Sequence, residues 1–361
     1  MFSASSLKFL EEFLKASGPS GFEFEQAAVF RKYLSQWTKE IHVDNMGNSI
    51  ARLNPGAKFQ VMLDGHYDEI GFQVVNVLNE GLISFRSVGG IDPLTIPGIQ
   101  VEVLTEKGRI PGVIGRKPIH LQTPEERKQV PEMKNMWIDI GACSKEEAEK
   151  LVKVGDPVAF RANFTRLSEN RVMSKGLDDK IGAFVIAEAF RIIAQSGKKL
   201  SKNVGVACMG AVQEEIGCRG AQAGAFGIQP SVGIAVDVGF ATEVPGISED
   251  EYGRLIMGKG PGLTRNADNN PPLLNRIIRI ADKKKLPYQV ETGHRATGGT
   301  DTAPIQVSRS GVATALFSIP NRYMHTPVEV CDLRDAEAAA KLIAETVLSF
   351  KGDETFRPGI D

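Results

Sequence analysis

With 361 residues, the chain has the length of about two ordinary domains or one large one. Apolar residues make up 42% of it, enough to fill a substantial core. The 43 Lys plus Arg offset the 44 Asp plus Glu to a formal charge of -1, which excludes a whole-chain electrostatic footprint for nucleic acid or an anionic membrane. Apolar runs such as VGVACMGAV fall short of the ~18 residues that a membrane-spanning helix needs.

The opening segment, MFSASSLKFLEEFLKASG, sets Leu7, Leu10, Phe13 and Leu14 at helical spacing with charged residues between them. It has neither the unbroken apolar stretch nor the small-residue cleavage site of a secretory leader, so a cytoplasmic protein is expected. Cys143, Cys208, Cys218 and Cys331 are widely spread with no C-x-x-C pair, and are read as reduced thiols.

In chain order, amphipathic helices are expected over 6–16 and 24–38, parted by the Gly- and Ser-rich SGPSGFE, followed by a strand pair around 45–48. The segment FQVMLDGHYDEIGFQVVNV begins as a buried strand, breaks into a polar cluster and resumes in β alternation. From about Gly71 to Phe160, short strands alternate with glycines and prolines, which predicts a small β-rich barrel or sandwich. After about Thr165, apolar strands alternate with amphipathic helices, the pattern of a mostly parallel sheet covered on both faces. The predicted architecture is one α/β domain made of both ends of the chain and interrupted by a β insertion.

The apolar strands run into metal-ligand chemistry. VMLDG ends at His66 with Asp68 two residues on, ACMGAVQ at Glu214 and Glu215, GIAV at Asp237, and ALFSIPNRYM at His325. Asp178 and Asp179 stand just before a further amphipathic helix. Ligands of open α/β sheets bind beyond the carboxyl ends of the strands, so these segments converge on one edge. A single acidic pair or a lone histidine is usually a solvated or structural feature, but burying charge at several strand ends is costly without a compensating role. Imidazoles and carboxylates without thiolates suit Zn, Co or Mn in an open site better than a structural zinc cage. So many carboxylates would repel one another unless cations neutralised them, and two divalent ions would do so. Glu214 and Glu215, as neighbours in an extended segment, point to opposite sides, so that one can hold metal while the other faces the attacking water. Asp68 is placed to accept the second ring N–H of His66. His42 and His120 are read as ordinary structural residues, and His294 is left open.

Six motifs, HYDEIGF (66–72), KGLDDKIGAF (175–184), AVQEEIGCRGA (211–221), AVDVG (235–239), GGTDTAPI (298–305) and IPNRYMHTPVEV (319–330), together resemble the glutamyl and tetrahedral aminopeptidases over essentially the whole chain. These are cytosolic two-metal metallopeptidases, some of which carry the names endoglucanase M or deblocking aminopeptidase. The resemblance implies a zinc-peptidase-like catalytic domain of residues 1–68 and 164–361, its mixed, mostly parallel sheet flanked by helices. It implies a β-rich, barrel-like dimerisation domain over 69–163. His66 and Asp237 would bind one metal ion, Glu215 and His325 the other, and Asp178 both, with Glu214 as general base and Asp179 in support. Two divalent ions per subunit, zinc first and cobalt or manganese otherwise, would serve the removal of N-terminal residues from short peptides. Similar enzymes assemble from dimers into hollow tetrahedral dodecamers, so a homo-oligomer is expected, with insertion strands such as GIQVEVL and WIDIGA exposed to pair subunits.

Other chemistries fit less well. A glycosidase needs two carboxyls flanking one bond, whereas these acidic pairs are consecutive. GRLIMGKG lacks the Ser or Thr and the helix of a phosphate-binding loop, and no G-x-S-x-G elbow is present. The nearest rival shares the metals: an amidohydrolase or deacylase acting on N-acylated small molecules. Arg295, in ETGHRATG before the GTD motif, suits a carboxylate, so acidic N-terminal residues are expected to be cleaved at least as well as Leu unless Arg295 pairs with Glu291.

Overall fold

A computed structural model describes residues 2–293 and 295–359, without the side chain of Lys198. The apolar strands Phe59–His66 and Val204–Ala211 are buried along their whole length, and Val232–Phe240 and Ala313–Arg322 along nearly all of theirs. Strands buried on both faces belong in the middle of a covered parallel sheet. These four lie side by side and parallel, in the order 204–211, 59–66, 232–240, 313–322. Antiparallel strands flank them, Ile41–Val43 and Ser49–Leu53 on one side and Glu329–Asp332, Arg171–Ser174 and Thr165–Arg166 on the other. Register sets Ala211 beside His66 and Ala235 beside Asp64, which brings Asp237 level with the end of the His66 strand.

Helices cover both faces. Ala4–Lys15 is capped by the Ser3 side chain, which accepts from the Ser6 N–H, and buries Phe9, Leu10, Phe13 and Leu14. With Phe24–Leu34, Leu177–Gln195, Pro271–Lys284 and Leu333–Leu348 it closes the larger core. Arg219–Ile228 and Thr302–Gln306 close the opposite face over Met62, Ala207 and Met209. Gly65 lets the long helix come close to the central strand: a Cβ there would stand 2.8 Å from the Ala183 nitrogen and 2.9 Å from the Gly182 carbonyl carbon. That approach brings the N-terminus of the helix to the strand end carrying His66. Among the described residues no helix is long and apolar enough to cross a membrane.

Strands Gly71–Val77, Ile83–Val88, Met136–Asp139, Gly108–Arg116, Gln100–Thr105 and Pro157–Phe160 close, in that order around the ring, into a barrel. Phe72, Val74, Phe85, Val101, Val103, Ile114, Ile138 and Phe160 fill it. The expectation that GIQVEVL and WIDIGA expose apolar faces is therefore corrected: Val101, Val103 and Ile138 are buried in the barrel core. Alternation identifies an apolar face, and closure of the ring turns that face inward. Exposed apolar side chains sit at Val75 and Val113 on the strands and, more numerously, off them at Leu94, Ile119, Leu121, Val130, Leu151 and Val154.

Candidate active site

The ends of the parallel strands open on a cleft of about 670 Å³ lined by Asp178, Glu214, Glu215, Asp237 and His325 among others. A second cleft, of about 810 Å³, lies on the barrel, and its described lining contains neither His nor Asp. Chemistry therefore centres on the first.

Asp178 and Asp179 occupy the first turn of helix 177–195 outside helical geometry, joined by a cis peptide bond. A helix N-terminus favours negative charge there. The two oxygens of Asp178 diverge: Oδ1 lies 3.3 Å from His66 Nε2, and Oδ2 lies 3.3 Å from His325 Nε2. Around His66, Asp237 Oδ1 is 3.9 Å and Glu214 Oε2 3.8 Å from Nε2. Glu215 Oε2 is 3.4 Å from His325 Nε2. Two groups of potential ligands result, His66 with Asp179 and Asp237, and His325 with Asp178 and Glu215, each with ligand atoms mutually within 4.8 Å. Asp179, read from the sequence only as support, thus shares the His66 cluster, while its Oδ1 accepts from the Gly182 N–H at 3.0 Å.

Both imidazoles turn Nε2 toward the cleft because Nδ1 is engaged elsewhere. His66 Nδ1 faces the Asp68 carbonyl at 3.3 Å and its carboxylate at 3.4 Å. His325 Nδ1 lies 2.7 Å from the carbonyl oxygen of Gly90, in the loop after barrel strand 83–88. Such partners fix the tautomer and leave Nε2 as a lone-pair donor. The fully buried Asp68 also accepts from the Ser20 hydroxyl at 2.7 Å and from the backbone N–H groups of Glu214 and Glu215 at 3.0 and 3.2 Å. It locks the acidic pair to the His66 strand.

The electrostatics are those of a site built for cations. Burial, reinforced by neighbouring carboxylates, pushes Asp179, Glu215 and Asp237 well above the usual carboxylate range and raises Glu214. Asp178, despite burial, is held low by the two imidazoles. His66 is raised by Asp178 and Asp68 against its burial, and His325 is pushed up to about 10 by Asp178. Buried Glu215 Oε1 and Asp179 Oδ2 receive no hydrogen bond among the described residues. Among the described residues lining the cleft, the only lysine or arginine is Arg295. Oxygen and imidazole donors with orphaned carboxylate oxygens fit two divalent ions.

Sequence reasoning missed several supports. Glu329 accepts from the backbone N–H groups of Asp178 and His325 at 2.9 and 3.1 Å, clamping the two segments together. Glu69 is buried between Lys175 Nζ at 2.6 Å and Lys180 Nζ at 2.9 Å, where HYDEIGF and KGLDDKIGAF meet. Asp64 and Asp301 are buried and, among the described residues, receive no hydrogen bond from an N–H or O–H group. Of these, Glu69, Lys175, Lys180, Asp301 and Glu329 lie inside the six motifs, which is the signal that could have found them, and Asp64 lies outside. His42 and His120 lie exposed, and His294 falls outside the described residues. The expected acidic preference meets a complication, because Glu291 lines the cleft as well as Arg295, with no ion pair between them among the described residues.

A mostly parallel α/β sheet with a barrel insertion and an acid and imidazole cluster at the strand ends defines a hydrolase of the peptidase class. The family model described as M42 glutamyl aminopeptidase matches residues 47–342, and the chain belongs to that family. It is an aminopeptidase. It is 35% identical over 340 residues to the lysyl aminopeptidase of Pyrococcus furiosus, covering 93% of this chain and 94% of that protein. Among solved structures, it resembles a TET aminopeptidase from Thaumarchaeota archaeon SCGC AB-539-E09, with a TM-score of 0.91 and 35% identity over 96% of this chain and 98% of that one. The Pyrococcus horikoshii TET1 peptidase, which assembles into a tetrahedron or a large octahedral shell, is similar with a TM-score of 0.85 and 32% identity over 96% of this chain and 100% of that one.

Proposed function

We propose that this aminopeptidase removes N-terminal residues from short peptides at a two-metal centre in which His66 and Asp237 hold one ion, Glu215 and His325 the other, and Asp178 both. The observation that carries the reading is the pair of Asp178 oxygens, each 3.3 Å from the Nε2 of a different histidine. When bound, two divalent ions, zinc first and cobalt or manganese otherwise, supply Lewis acidity toward the scissile carbonyl and the attacking water. Glu214 is the general base: it takes a proton from the attacking water and passes it to the leaving amine. The Cys218 thiol, 3.1 Å from its Oε1, steadies it. Asp68 keeps His66 and the Glu214 backbone in register through its hydrogen bonds.

Glu291 sets the preference for the N-terminal side chain. Its carboxylate accepts from the Thr264 hydroxyl, from the Ser318 hydroxyl at 2.9 Å and from the Gly293 N–H, whereas Arg295 is exposed on the same loop. An anchored carboxylate facing a cleft favours a cationic partner, so Lys or Arg at the N-terminus is preferred over Glu. The 35% identical relative is named for lysyl substrates. The barrel pairs subunits into a homo-oligomer, a dimer at least and a tetrahedral dodecamer in full. The free cysteines fit a reducing cytoplasm.

Metal analysis of the purified protein, followed by Lys-, Leu- and Glu-anilides with and without N-acetylation, tests the reading. Two ions per chain and hydrolysis only of free-amine substrates are expected. Release of acetate from the acetylated forms with the anilide bond left intact would make the protein a deacylase instead.

A further inference from the structure

Strand 204–211 ends at Ala211, and the four residues that follow turn their backbone N–H groups to side chains from elsewhere in the chain. Val212 donates to Asn48 Oδ1 at 3.1 Å, Gln213 to Glu23 Oε1 at 3.2 Å, and Glu214 and Glu215 to the two oxygens of Asp68 at 3.0 and 3.2 Å. Within this run Gln213 holds φ at +57°, in the left-handed region that side chains other than glycine rarely adopt. Such a backbone persists where its surroundings over-determine it. Asn48 and Asp68 adjoin strands 49–53 and 59–66, which flank strand 204–211 in the sheet. Glu23 comes from outside the sheet. It stands at the N-cap of helix 24–34, where an acceptor side chain ordinarily serves its own helix, yet it makes no capping bond. Only 6% exposed, it accepts instead from the Gly21 N–H at 2.6 Å and from Gln213 across 190 residues of sequence. Burial and the neighbouring Asp68 push its carboxyl up to about 7. A buried acid beside another acid is a local conflict of the kind that collects at functional sites.

We infer that Glu23 is a positioning residue for peptide hydrolysis: its Oε1 fixes Gln213 in the left-handed conformation and so aims the Glu214 carboxylate into the cleft. The inference rests on the reading of Glu214 as general base. The peptide plane that joins Gln213 to Glu214 turns with the Gln213 backbone, so relaxation of Gln213 displaces Glu214 first. Glu215 is one residue further on, with its N–H on Asp68 and its carboxylate facing His325. Misplacing a reacting group by about 1 Å can cost about 10²-fold in rate, and here that cost falls on the proton transfer and not on substrate binding. What Glu23 supplies is reach. An oxygen at that distance accepts from Gln213 whether it belongs to a carboxyl or to an amide.

Two substitutions separate reach from charge. Glu23→Gln keeps the oxygen and removes the charge, whereas Glu23→Asp keeps the charge, is a good cap for helix 24–34 and is one methylene short of Gln213. Both are measured in the metal-loaded protein on the aminoacyl-anilide that the wild type hydrolyses fastest. Glu23→Asp is expected to lower kcat at least about tenfold with KM, metal content and urea midpoint unchanged, and Glu23→Gln to stay within about twofold of wild type. Glu23→Gln as the slower variant, both variants slow, both at the wild-type rate, or loss of metal from Glu23→Asp overturns the positioning role. Glu23→Asp is then repeated in Glu214→Gln. A residue that acts through Glu214 costs nothing further there, and a second loss of full size overturns the inference. Glu214→Gln by itself keeps the two readings apart. A near-normal rate in that single variant removes the general base and Glu23 with it, whereas a large loss there with an additive Glu23→Asp removes only the role of Glu23.

Discussion

Glu214 is separated from the neighbouring proposed ligand Glu215 by one peptide bond and by what each carboxylate meets. Glu215 Oε2 faces His325 Nε2 at 3.4 Å, whereas Glu214 offers Oε1 to the Cys218 thiol. Glu214→Gln keeps the shape and removes the proton acceptor, so kcat is expected to fall by at least about 10²-fold with metal content intact. Near-normal turnover in this variant would take Glu214 out of the mechanism. Asp178 and Asp237 differ in the same way, one facing both histidines and the other only His66. After dialysis, Asp178→Asn is expected to lose both ions and Asp237→Asn one. Loss of a single ion from each would remove Asp178 from the shared position.

At the scale of elements, Glu69 joins three segments. Its Oε1 accepts from the Gly18 N–H at 3.0 Å and from Lys175, its Oε2 accepts from Lys180, and Lys180 also donates to the Ala16 carbonyl at 2.8 Å. Burial alone would raise the Glu69 pKa, but the two ammonium groups outweigh it and hold the group at about 2, below the ordinary 4.5. Lys180 is lowered to about 8, by burial and by Lys175, since one carboxylate answers two ammonium groups. Because the folded pKa of Glu69 is depressed, its contribution is complete above about pH 4.5 and is lost as pH falls toward 2. Glu69→Gln, which leaves two buried ammonium groups unpaired, is expected to destabilise the fold by about 3–5 kcal/mol in urea at pH 7 and to flatten the acid limb. Wild-type stability in that variant would mean that water reaches the lysines. The loop carrying Glu291 makes a separate prediction: Glu291→Gln lowers the Lys-to-Leu anilide ratio about tenfold, while Arg295→Ala leaves that ratio unchanged. If only the arginine variant moves the ratio, Arg295 sets the preference.

These elements also show what could be read from sequence. Strand-end residues such as His66 and Asp237 stand out because an apolar run stops abruptly at a charged group, and parallel strands deliver such groups to one edge. Glu69, Lys175 and Lys180 carry no such strand-end mark, since nothing local reveals that segments 106 residues apart bury them against each other. The Gly90 carbonyl behind His325 belongs to the barrel insertion, and backbone groups leave no residue-type signal.

At the scale of the molecule, the barrel strands themselves expose few large apolar side chains, Val75 and Val113 among them. Closure pairs its edges, which removes edge-to-edge association as a route to assembly. What remains is the excursion between strands 108–116 and 136–139, three short 3₁₀ turns over Ile119–Leu121, Glu126–Lys128 and Met133–Asn135. Ile119, Leu121 and Val130 on it are 57%, 68% and 59% exposed, an apolar display that the described residues leave open to water. A long loop that keeps apolar side chains in water fits a surface covered by another subunit. Light scattering across micromolar concentrations is expected to give a multiple of the 39.2 kDa chain, a dimer or larger. Leu121→Asp with Val130→Asp is expected to reduce that mass while circular dichroism stays unchanged, since neither side chain contributes to the barrel core. A wild-type monomer would end the assembly proposal. A double variant with the full wild-type mass would move the interface off this excursion, to the exposed Leu94 or Val154 elsewhere on the insertion.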